Sequence, residues 1–295
     1  MNHTVRAALA EGIRALADAK VDAPQITAQL LMAHVLGWDR VRVLSHGDEP
    51  VEGPAAEQFR ALVRRSAAGE PLQYLTGERE FYGLYFLVNP AVLIPRPETE
   101  ILVERTLWLA RAGSLSGRLR FLDLGTGSGC IAVTLAKLLP CADGCAVDIS
   151  PAAIAVAGIN ARRHAVSGRV RFINADLLSC FAERPIFDLI VSNPPYVAQA
   201  ESESLPSPVR EHEPHLALFG GATGLEIYRR LIPEAARRLR PGGHLLLEMG
   251  AGQSEAVTQM LEPAGLRVRS IDADLQGIPR CVDAERTGPR AENHG

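Results

Sequence analysis

The length, composition and charge of the chain are those of a folded globular protein, and they exclude several classes of protein. The chain has 295 residues, of which 47% are hydrophobic and 22% charged, with a formal net charge of −3. This length allows one large domain or two small ones, each with its own core. The charge does not match the broad basic face with which nucleic-acid-binding proteins contact phosphates. No apolar run approaches the roughly 20 residues that span a bilayer.

The N-terminal segment and the cysteines predict a cytoplasmic protein with reduced thiols. The segment MNHTVRAALAEGIRALADAK carries charges throughout and lacks the apolar core of a signal peptide. The five cysteines are an odd number and are scattered along the chain. Only Cys141 and Cys145 lie close together, and no second pair completes a zinc site. We therefore expect no metal centre.

The first part of the chain has the hydrophobic spacing of short helices. Val5, Leu9, Ile13 and Leu16 recur at helical intervals, and the same pattern returns further along. Glycine and proline residues interrupt it repeatedly, which limits the length of each helix. The pattern predicts a small helical bundle over residues 1–78.

Residues 79–95 are predicted to form a β-hairpin that links the bundle to the rest of the chain. The stretch EFYGLYFLVNPAVL, residues 80–93, is rich in aromatic and β-branched side chains. Beyond it, Pro97 suits the first position of a helix. Glu98 and Glu100 suit the positive end of the dipole of that helix.

Residues 96–295 alternate between strand and helix patterns. The strand candidates are Leu119–Leu124, Cys145–Ile149, Val170–Asn174, Phe187–Val191 and His244–Met249, followed by Leu266–Ile271 and Arg280–Ala284 as a further, antiparallel pair. The helix candidates are Cys130–Leu139, Pro151–Ala165, Gly224–Leu239 and Gln253–Pro263. Strands separated by helices of this length predict an α/β fold, with a doubly wound seven-stranded sheet covered on both faces.

A glycine-rich turn, DLGTGSG, joins the first of these strands to a helix. In a doubly wound sheet this turn is where a nucleotide-like ligand approaches the backbone. The cofactor-binding candidates in it are Gly125, Thr126, Gly127, Ser128 and Gly129. Asp123 places a carboxylate where a dinucleotide needs its pyrophosphate, and so favours a cofactor with a cationic sulfonium and amino group. The alternative is a tight turn that binds nothing.

Acidic residues end the next two strands. Asp148 follows the glycine turn by about 20 residues, where a carboxylate accepts hydrogen bonds from both ribose hydroxyls. Asp176 and the apolar Leu177 are placed to meet an adenine, although Asp176 also suits a helix cap. This combination is similar to the class I methyltransferases, which bind S-adenosylmethionine in this way.

The fourth strand ends in Asn193, Pro194, Pro195 and Tyr196. A residue that precedes proline is kept out of the helical region, so Asn193 and Pro194 are both held extended. The prolines offer no competing N–H group. We predict that the Asn193 side-chain oxygen and the Pro194 carbonyl accept the two protons of a substrate –NH₂. Tyr196 would pack against the planar group, with Asn193, Pro194 and Tyr196 as the catalytic residues and Pro195 completing the substrate site. The alternative is a turn that only ends the strand.

Four segments together resemble the PrmC/HemK family: residues 69–104, DLGTGSG, SNPPYV and residues 213–231. The resemblance spans roughly residues 5–286. It implies a class I, Rossmann-like methyltransferase that uses S-adenosylmethionine to methylate the glutamine of the Gly-Gly-Gln loop in peptide-chain release factors. The family's cofactor residues carry over to Gly125–Gly129, Asp148 and Asn193, and its substrate motif to Asn193–Tyr196. Some members have tryptophan at the position of Leu177, so a weaker contact with adenine is implied here.

Other functions stay open at this point. Enzymes with the same motif methylate a ribosomal-protein glutamine or DNA adenine, and a silent cofactor fold used for binding is a further alternative. An enzyme acting on DNA would need a basic, groove-reading domain, which residues 1–78 do not provide. The helical bundle suits docking of a protein partner, or it only stabilises the sheet.

Three further features have two interpretations each. Arg96 is either a surface turn residue or part of the substrate cleft. The stretch Glu211-His-Glu-Pro-His215 looks like a metal cluster, but Pro214 interrupts it and we expect a loop that lines the cleft. Cys130 lies on an apolar helix, so burial is expected rather than a nucleophilic role.

Overall fold

The computed structural model describes residues 4–115 and 117–288, which divide into two compact units. The first unit comprises the chain up to Glu78 together with Pro206–His212. The second unit comprises Arg79–Leu205 and the chain from Glu213. No helix in the described ranges is long and apolar enough to cross a membrane.

The helices and strands follow in chain order. The helices are α1 (Val5–Asp18), α2 (Pro24–Leu36), α3 (Arg40–Ser45), α4 (Gly53–Ala67), α5 (Leu72–Thr76), α6 (Glu100–Arg111), α7 (Cys130–Leu138), α8 (Pro151–Arg163), α9 (Ser207–His212), α10 (His215–Leu218), α11 (Glu226–Arg238) and α12 (Ser254–Leu261). The strands are β1 (Glu78–Phe81), β2 (Leu84–Leu87), β3 (Arg120–Leu124), β4 (Asp143–Asp148), β5 (Val170–Asn174), β6 (Phe187–Ser192), β7 (Leu239–Glu248), β8 (Leu266–Ala273) and β9 (Pro279–Arg286). Short 3₁₀ helices lie at Pro97–Thr99, Gln199–Ser204 and Glu262–Ala264.

The first unit is the helical bundle that the sequence predicted. Its helix α1 begins at a capping residue, because the Thr4 hydroxyl accepts a hydrogen bond from the Ala7 N–H at 3.3 Å. Leu16, Leu31 and Phe59 of α1, α2 and α4 are buried together in its core. A single hydrophobic cluster therefore holds these helices to one another.

The hairpin is shorter and begins earlier than expected. Strands β1 and β2 are joined by Tyr82 and Gly83, whose φ values of 51° and 74° define the tight type I′ turn that favours hairpins. Strand β2 ends at Leu87, so the predicted extension of the hairpin to residue 95 is wrong. Pro90 and Pro95 lie in that extension, and neither has the N–H group that a strand pair requires.

The second unit is built on the predicted seven-stranded, doubly wound sheet. Its strand order is β5-β4-β3-β6-β7-β9-β8. The five strands β5, β4, β3, β6 and β7 run parallel to one another. Strand β9 is antiparallel to both of its neighbours, β7 and β8, and the sequence predicted an antiparallel arrangement for the last two strands. Adjacent residues of β3 face opposite sides: Phe121 packs into one hydrophobic core and Leu122 into the other. The sheet is therefore covered on both faces, and its strand order reverses at β3, where open sheets bind ligands.

A buried ionic network ties α6 to the sheet. The Arg105 guanidinium donates to Asp283 Oδ2 on β9 at 2.7 and 3.0 Å, and Asp283 Oδ1 lies 2.7 Å from His244 Nδ1 on β7. The side chain of Asp283 is completely buried. Since a buried carboxylate is costly without partners, the network depends on all three groups.

We expect Asp283→Ala to destabilise the second unit by about 3–5 kcal/mol, because it leaves the largely buried Arg105 with only the more distant Asp272, at 3.8 Å, and removes the partner of the buried His244. Urea unfolding tests this in a Trp38→Phe background, in which Trp108 beside Arg105 is the remaining tryptophan. Asp143→Ala is the matched control, since its ion pair with Arg118 is exposed and should contribute about 0–1 kcal/mol. Equal losses in the two variants would contradict the structural role of the network.

Candidate functional site

A cavity of about 260 Å³ lies at the carboxyl ends of the central strands of the second unit. Its wall includes Gly125, Gly127, Asp148, Ile149, Leu177 and Asn193. These residues follow β3, β4, β5 and β6, whose ends meet at this edge because the four strands are parallel. The topology therefore brings most of the predicted cofactor residues together.

The glycine loop presents bare backbone to this cavity. Gly127 has a φ of 54°, in the left-handed region, and a Cβ placed on it would meet nothing within 4 Å. The Gly125 and Thr126 N–H groups donate to the Val147 carbonyl at 2.9 and 3.0 Å, which holds the loop against β4. The loop leaves open space that a ligand can fill up to the backbone. Thr126 and Ser128 are buried instead, so their predicted cofactor contacts stay predictions.

Asp123 lies behind the loop rather than in the cavity wall. Its side chain is fully buried, and Oδ2 accepts hydrogen bonds from the Thr126 hydroxyl at 2.7 Å and the Ala132 N–H at 3.2 Å. Burial raises its pKa to about 7, despite these two hydrogen bonds. The carboxyl group organises the loop, and its direct contact with a cofactor stays a prediction.

Asp148 lies in the cavity wall at the end of β4. Its Oδ2 accepts from the Gly127 N–H and its Oδ1 from the Ser150 N–H, both at 2.9 Å. Each carboxylate oxygen has a further lone pair, so the group is able to accept two more hydrogen bonds. Burial raises the pKa of Asp148. This geometry suits the two neighbouring hydroxyls of a ribose.

An apolar surface with an ion pair at its border continues the wall. Ile149, which is 50% exposed, and Leu177 form its apolar part. Leu177 has a φ of 46°, in the left-handed region that is strained for a branched side chain. Asp176 is paired with Arg230 at 2.6 Å, so its carboxylate is engaged by a cation rather than by a helix end. The sequence did not identify Ile149 and Arg230 as residues of the cavity wall. For Ile149 there was a signal, because it directly follows Asp148; for Arg230 there was none.

Asn193 lies in the wall directly after β6, with its amide held from behind. The Nδ2 group donates to the Thr99 hydroxyl at 3.0 Å, which leaves the oxygen end of the amide for other partners. Pro195 also lines the cavity, whereas Pro194 and Tyr196 lie outside its wall, so their roles stay predictions. Burial, and secondarily Glu248, raises the pKa of Tyr196 to about 12, which keeps its phenol protonated.

The backbone after Asn193 is clamped by two neighbouring segments, the connection from α10 to α11 and the loop between β7 and α12. The Gln253 side chain donates to the Tyr196 carbonyl at 2.9 Å, and the Val197 N–H donates to the Leu218 carbonyl at 3.0 Å. A Cβ placed on Gly224 would overlap the Tyr196 carbonyl oxygen. The connection from α10 to α11 can lie this close because residue 224 has no side chain. The segment from Asn193 to Tyr196 is therefore rigid through its neighbours as well as through its prolines.

Sequence reasoning also missed Glu248, which ends β7 beside Asn193. Its side chain is buried, and burial raises its pKa to about 7 although hydrogen bonds from Thr99 and Asn193 oppose this shift. The sequence did carry a signal, because an acidic residue that ends the apolar run LLLEMG at a strand end is unusual.

Arg96 and the Glu211–His215 stretch contact each other in the structure. The Arg96 guanidinium contacts Glu213 Oε1 at 2.6 Å, and the Ile94 N–H donates to Glu213 Oε2 at 3.2 Å. Glu213 is buried, and Leu93 and Pro214 beside these residues line the cavity. The pair thus joins two segments of the cavity wall. No group of three or more His, Cys, Asp or Glu in the described ranges is arranged to hold a metal ion. Cys130 is buried, as expected.

Solved structures share this fold. A methyltransferase from Pyrococcus furiosus superposes with a TM-score of 0.51 at 19% identity, covering 78% of this chain and 98% of that one. A 16S rRNA methyltransferase of Thermus thermophilus, in complex with AdoMet and guanosine, has a TM-score of 0.51 at 21% identity, covering 71% and 49%. At these identities the two comparisons show the fold, which is that of the class I methyltransferases.

Comparison of sequences gives the family. The family model described as the PrmC N-terminal domain matches residues 7–77, and the methyltransferase small domain matches residues 102–207. The release factor glutamine methyltransferase of Nitratidesulfovibrio vulgaris is 42% identical over 96% of this chain and 95% of its own length. That of Moorella thermoacetica is 44% identical over 96% and 99%. The chain belongs to the release factor glutamine methyltransferase family, and the expected resemblance is confirmed.

The raised pKa values make the stability of the second unit depend on pH. The pKa of Asp123 is about 7 in the folded state and ordinarily 3.8, so folding favours its neutral form. Its contribution to stability is complete below about pH 4 and is lost as the pH rises through 7. Between about pH 5.5 and about pH 8.5 we expect Asp123 alone to remove roughly 2 kcal/mol from the free energy of unfolding.

Asp123→Asn should abolish this part of the pH dependence, because the amide does not ionise. Urea unfolding at the two pH values, followed by Trp108 in the Trp38→Phe background, measures it. The exposed Asp143→Asn serves as the control and should keep the wild-type slope. An unchanged slope in Asp123→Asn would show that this carboxyl is already ionised in the folded protein.

Proposed function

We propose that this protein transfers a methyl group from S-adenosylmethionine to the side-chain amide nitrogen of the glutamine in the Gly-Gly-Gln loop of class I peptide-chain release factors, in the cytoplasm. The observation that carries the proposal is the orientation of the Asn193 amide. Its nitrogen is engaged by Thr99, so its oxygen is left to accept a proton from a substrate at the cavity. An –NH₂ group is the substrate feature that matches such an acceptor.

The residues of the cavity fit the cofactor. The open backbone at Gly125 and Gly127 would hold the methionine part, Asp148 the ribose, and Ile149 with Leu177 the adenine. When bound, S-adenosylmethionine supplies an electrophilic methyl group. Asp176 would also contact the adenine, with its carboxylate at the same time paired with Arg230.

The chain contributes alignment rather than a base. The Asn193 oxygen and the Pro194 carbonyl would each accept one hydrogen of the substrate –NH₂, while Pro195 and Tyr196 border the group. Gripping both hydrogens away from the plane of the amide frees the nitrogen lone pair. The nitrogen held by Asn193 and Pro194 would then be able to accept the methyl group that S-adenosylmethionine supplies, and the proton that it loses would leave to water. Fixed dipoles and close alignment are effective forms of catalysis for such a step.

The first unit is proposed to dock the substrate protein. It matches the family model of the PrmC N-terminal domain. Two apolar side chains of α3 are notably exposed, Val41 at 74% and Leu44 at 56%. Exposed apolar residues on one short helix are suited to contact with a protein partner. The chain as a whole has a net charge of −3, which favours a protein substrate over DNA.

An assay with labelled S-adenosylmethionine separates the candidate substrates. The protein is incubated with a release factor, with ribosomal proteins or with adenine-containing DNA. We expect label on the release factor, and we expect the Gln→Ala change in its Gly-Gly-Gln loop to abolish it. Label on DNA or on a ribosomal protein alone, or label that survives the Gln→Ala change, would refute the proposal.

Asn193→Ala should lower kcat by roughly 10²-fold, since a preorganised polar group that holds the reacting nitrogen is lost. The dissociation constant of S-adenosylmethionine is measured separately by calorimetry, because Asn193 is also one of the predicted cofactor residues. Full methyl transfer with normal cofactor affinity in this variant would rule out the role of the Asn193 oxygen.

Gly224→Ala should displace the clamped segment, because its Cβ would overlap the Tyr196 carbonyl oxygen. Small misplacements of reacting groups are costly, so we expect kcat to fall by about 10-fold to 10²-fold. Gly168→Ala is the matched control, since a Cβ there meets nothing within 4 Å and its φ is not in the left-handed region. Equal activity of the two variants would show that the clamp is not needed.

A further inference from the structure

We propose that Glu248 is a positioning residue that, through Thr99, determines which end of the Asn193 amide faces the substrate. The inference rests on the proposed methyl transfer at Asn193 and deepens it. Glu248 does not itself line the cavity, whereas Asn193 does, so the effect of Glu248 on the reaction would pass through Asn193.

The three residues lie next to one another. Asn193 Nδ2 donates to the Thr99 hydroxyl at 3.0 Å, and the pairing of Ser192 with Leu247 places Glu248 beside Asn193 at the ends of β7 and β6. Thr99 and Asn193 act on the Glu248 carboxyl as hydrogen-bonding neighbours that lower its pKa against the larger effect of burial. Since the Thr99 oxygen accepts from Asn193, its own proton is available to the carboxylate. A series of hydrogen bonds can therefore run from the amide nitrogen to a group that only accepts.

The direction of the hydrogen bond between Asn193 and Thr99 matters because the groups around it are buried. Thr99 is 3% exposed and Glu248 1%, so water does not compete for their hydrogen bonds. Glu248 Oε2 has no hydrogen-bond partner among the described residues. If the Asn193 amide were flipped, its oxygen would face an acceptor in the ionised form of Glu248, and its nitrogen would meet the –NH₂ of the substrate. Both contacts would be unfavourable.

The backbone of Glu248 is rigid, so its side chain is presented from a fixed position. Its carbonyl accepts a hydrogen bond from the Tyr228 hydroxyl at 2.8 Å, and β7 pairs with β9 at Cys281. A positioning group is more accurate when it lies on a strand than on a loop.

Only the ionised form of Glu248 imposes the orientation. A protonated carboxyl or an amide at this position can donate to the Asn193 oxygen, and so it tolerates both orientations. The ionisable groups that act on or respond to Glu248 are Arg280 and Cys281 of β9, Glu98 of the 3₁₀ helix before α6, Tyr228 of α11, Cys130 of α7, and Tyr196. Arg280 lowers its pKa and Glu98 raises it, while burial is the largest cause of the shift to about 7.

The test compares Glu248→Gln with the wild type on a release factor substrate. We expect kcat to fall about tenfold or more, with the KM for the release factor, the dissociation constant of S-adenosylmethionine and the Tm unchanged. Glu255→Gln, an exposed change on α12, is the matched control and should behave as the wild type. Wild-type kcat should also rise with pH through a limb near 7 that Glu248→Gln lacks.

A second pair of variants keeps the test decisive if Glu248→Gln fails to fold. Thr99→Ser retains the hydroxyl that links Glu248 to Asn193, whereas Thr99→Val removes it. We expect near wild-type kcat for Thr99→Ser and a loss like that of Glu248→Gln for Thr99→Val. Equal kcat in these two variants would overturn the inference.

Two further outcomes would overturn it and are distinct from each other. If the wild type methylates glutamine and Glu248→Gln does so at the same rate, or loses kcat only in proportion to cofactor affinity and Tm, the positioning role is refuted while the proposed function stands. If the wild type does not methylate glutamine at all, the proposed function fails, and the inference fails with it.

Discussion

The hydrogen bond from Asn193 Nδ2 to the Thr99 hydroxyl is the interaction on which the site depends. An amide group has a donor end and an acceptor end of nearly equal size, so its shape alone does not determine which end faces a ligand. Thr99 precedes Asn193 by 94 positions and lies in the turn that leads into α6. The polarity of the site therefore depends on where that helix is placed against the sheet.

The placement of α6 is itself secured by charge. The Arg105 side chain on this helix reaches the buried Asp283, which also contacts His244, so that the helix is joined to two strands of the sheet. Ion pairs of this kind add little net stability compared with apolar packing, but they disfavour every arrangement that leaves one charge unpaired. A network that orients α6 thus contributes indirectly to the orientation of Asn193.

Two buried carboxyl groups with raised pKa values lie close to the site, and neither belongs to the cavity wall. Asp123 supports the glycine loop from behind, and Glu248 lies beside Asn193. Burial is the largest cause of the raised pKa in both cases. The protein thus tolerates two groups that are costly to ionise, in places where each organises a segment of the cavity. Such groups are more typical of functional sites than of ordinary cores.

Local patterns were sufficient for much of this molecule. Alternation of strands and helices predicted the sheet. Asp148 was located because it ends a strand, and the glycine loop and Asn193 because each directly follows one. The predicted hairpin ended too late, since apolar and β-branched residues continue past Leu87 while the prolines beyond it prevent pairing. Arg96 and Glu213 were noticed but not connected, because 117 positions separate them.

The sequence by itself determined which segments form strands and helices and which residues stand at the strand ends, because periodicity and turn residues act between near neighbours in the chain. The tertiary structure alone decided that Thr99 holds Asn193 with Glu248 beside it, that Glu213 holds Arg96, and that Asp123 lies behind its loop. These outcomes depend on burial and on hydrogen bonds between distant segments, which arise only when the sheet and its helices have packed.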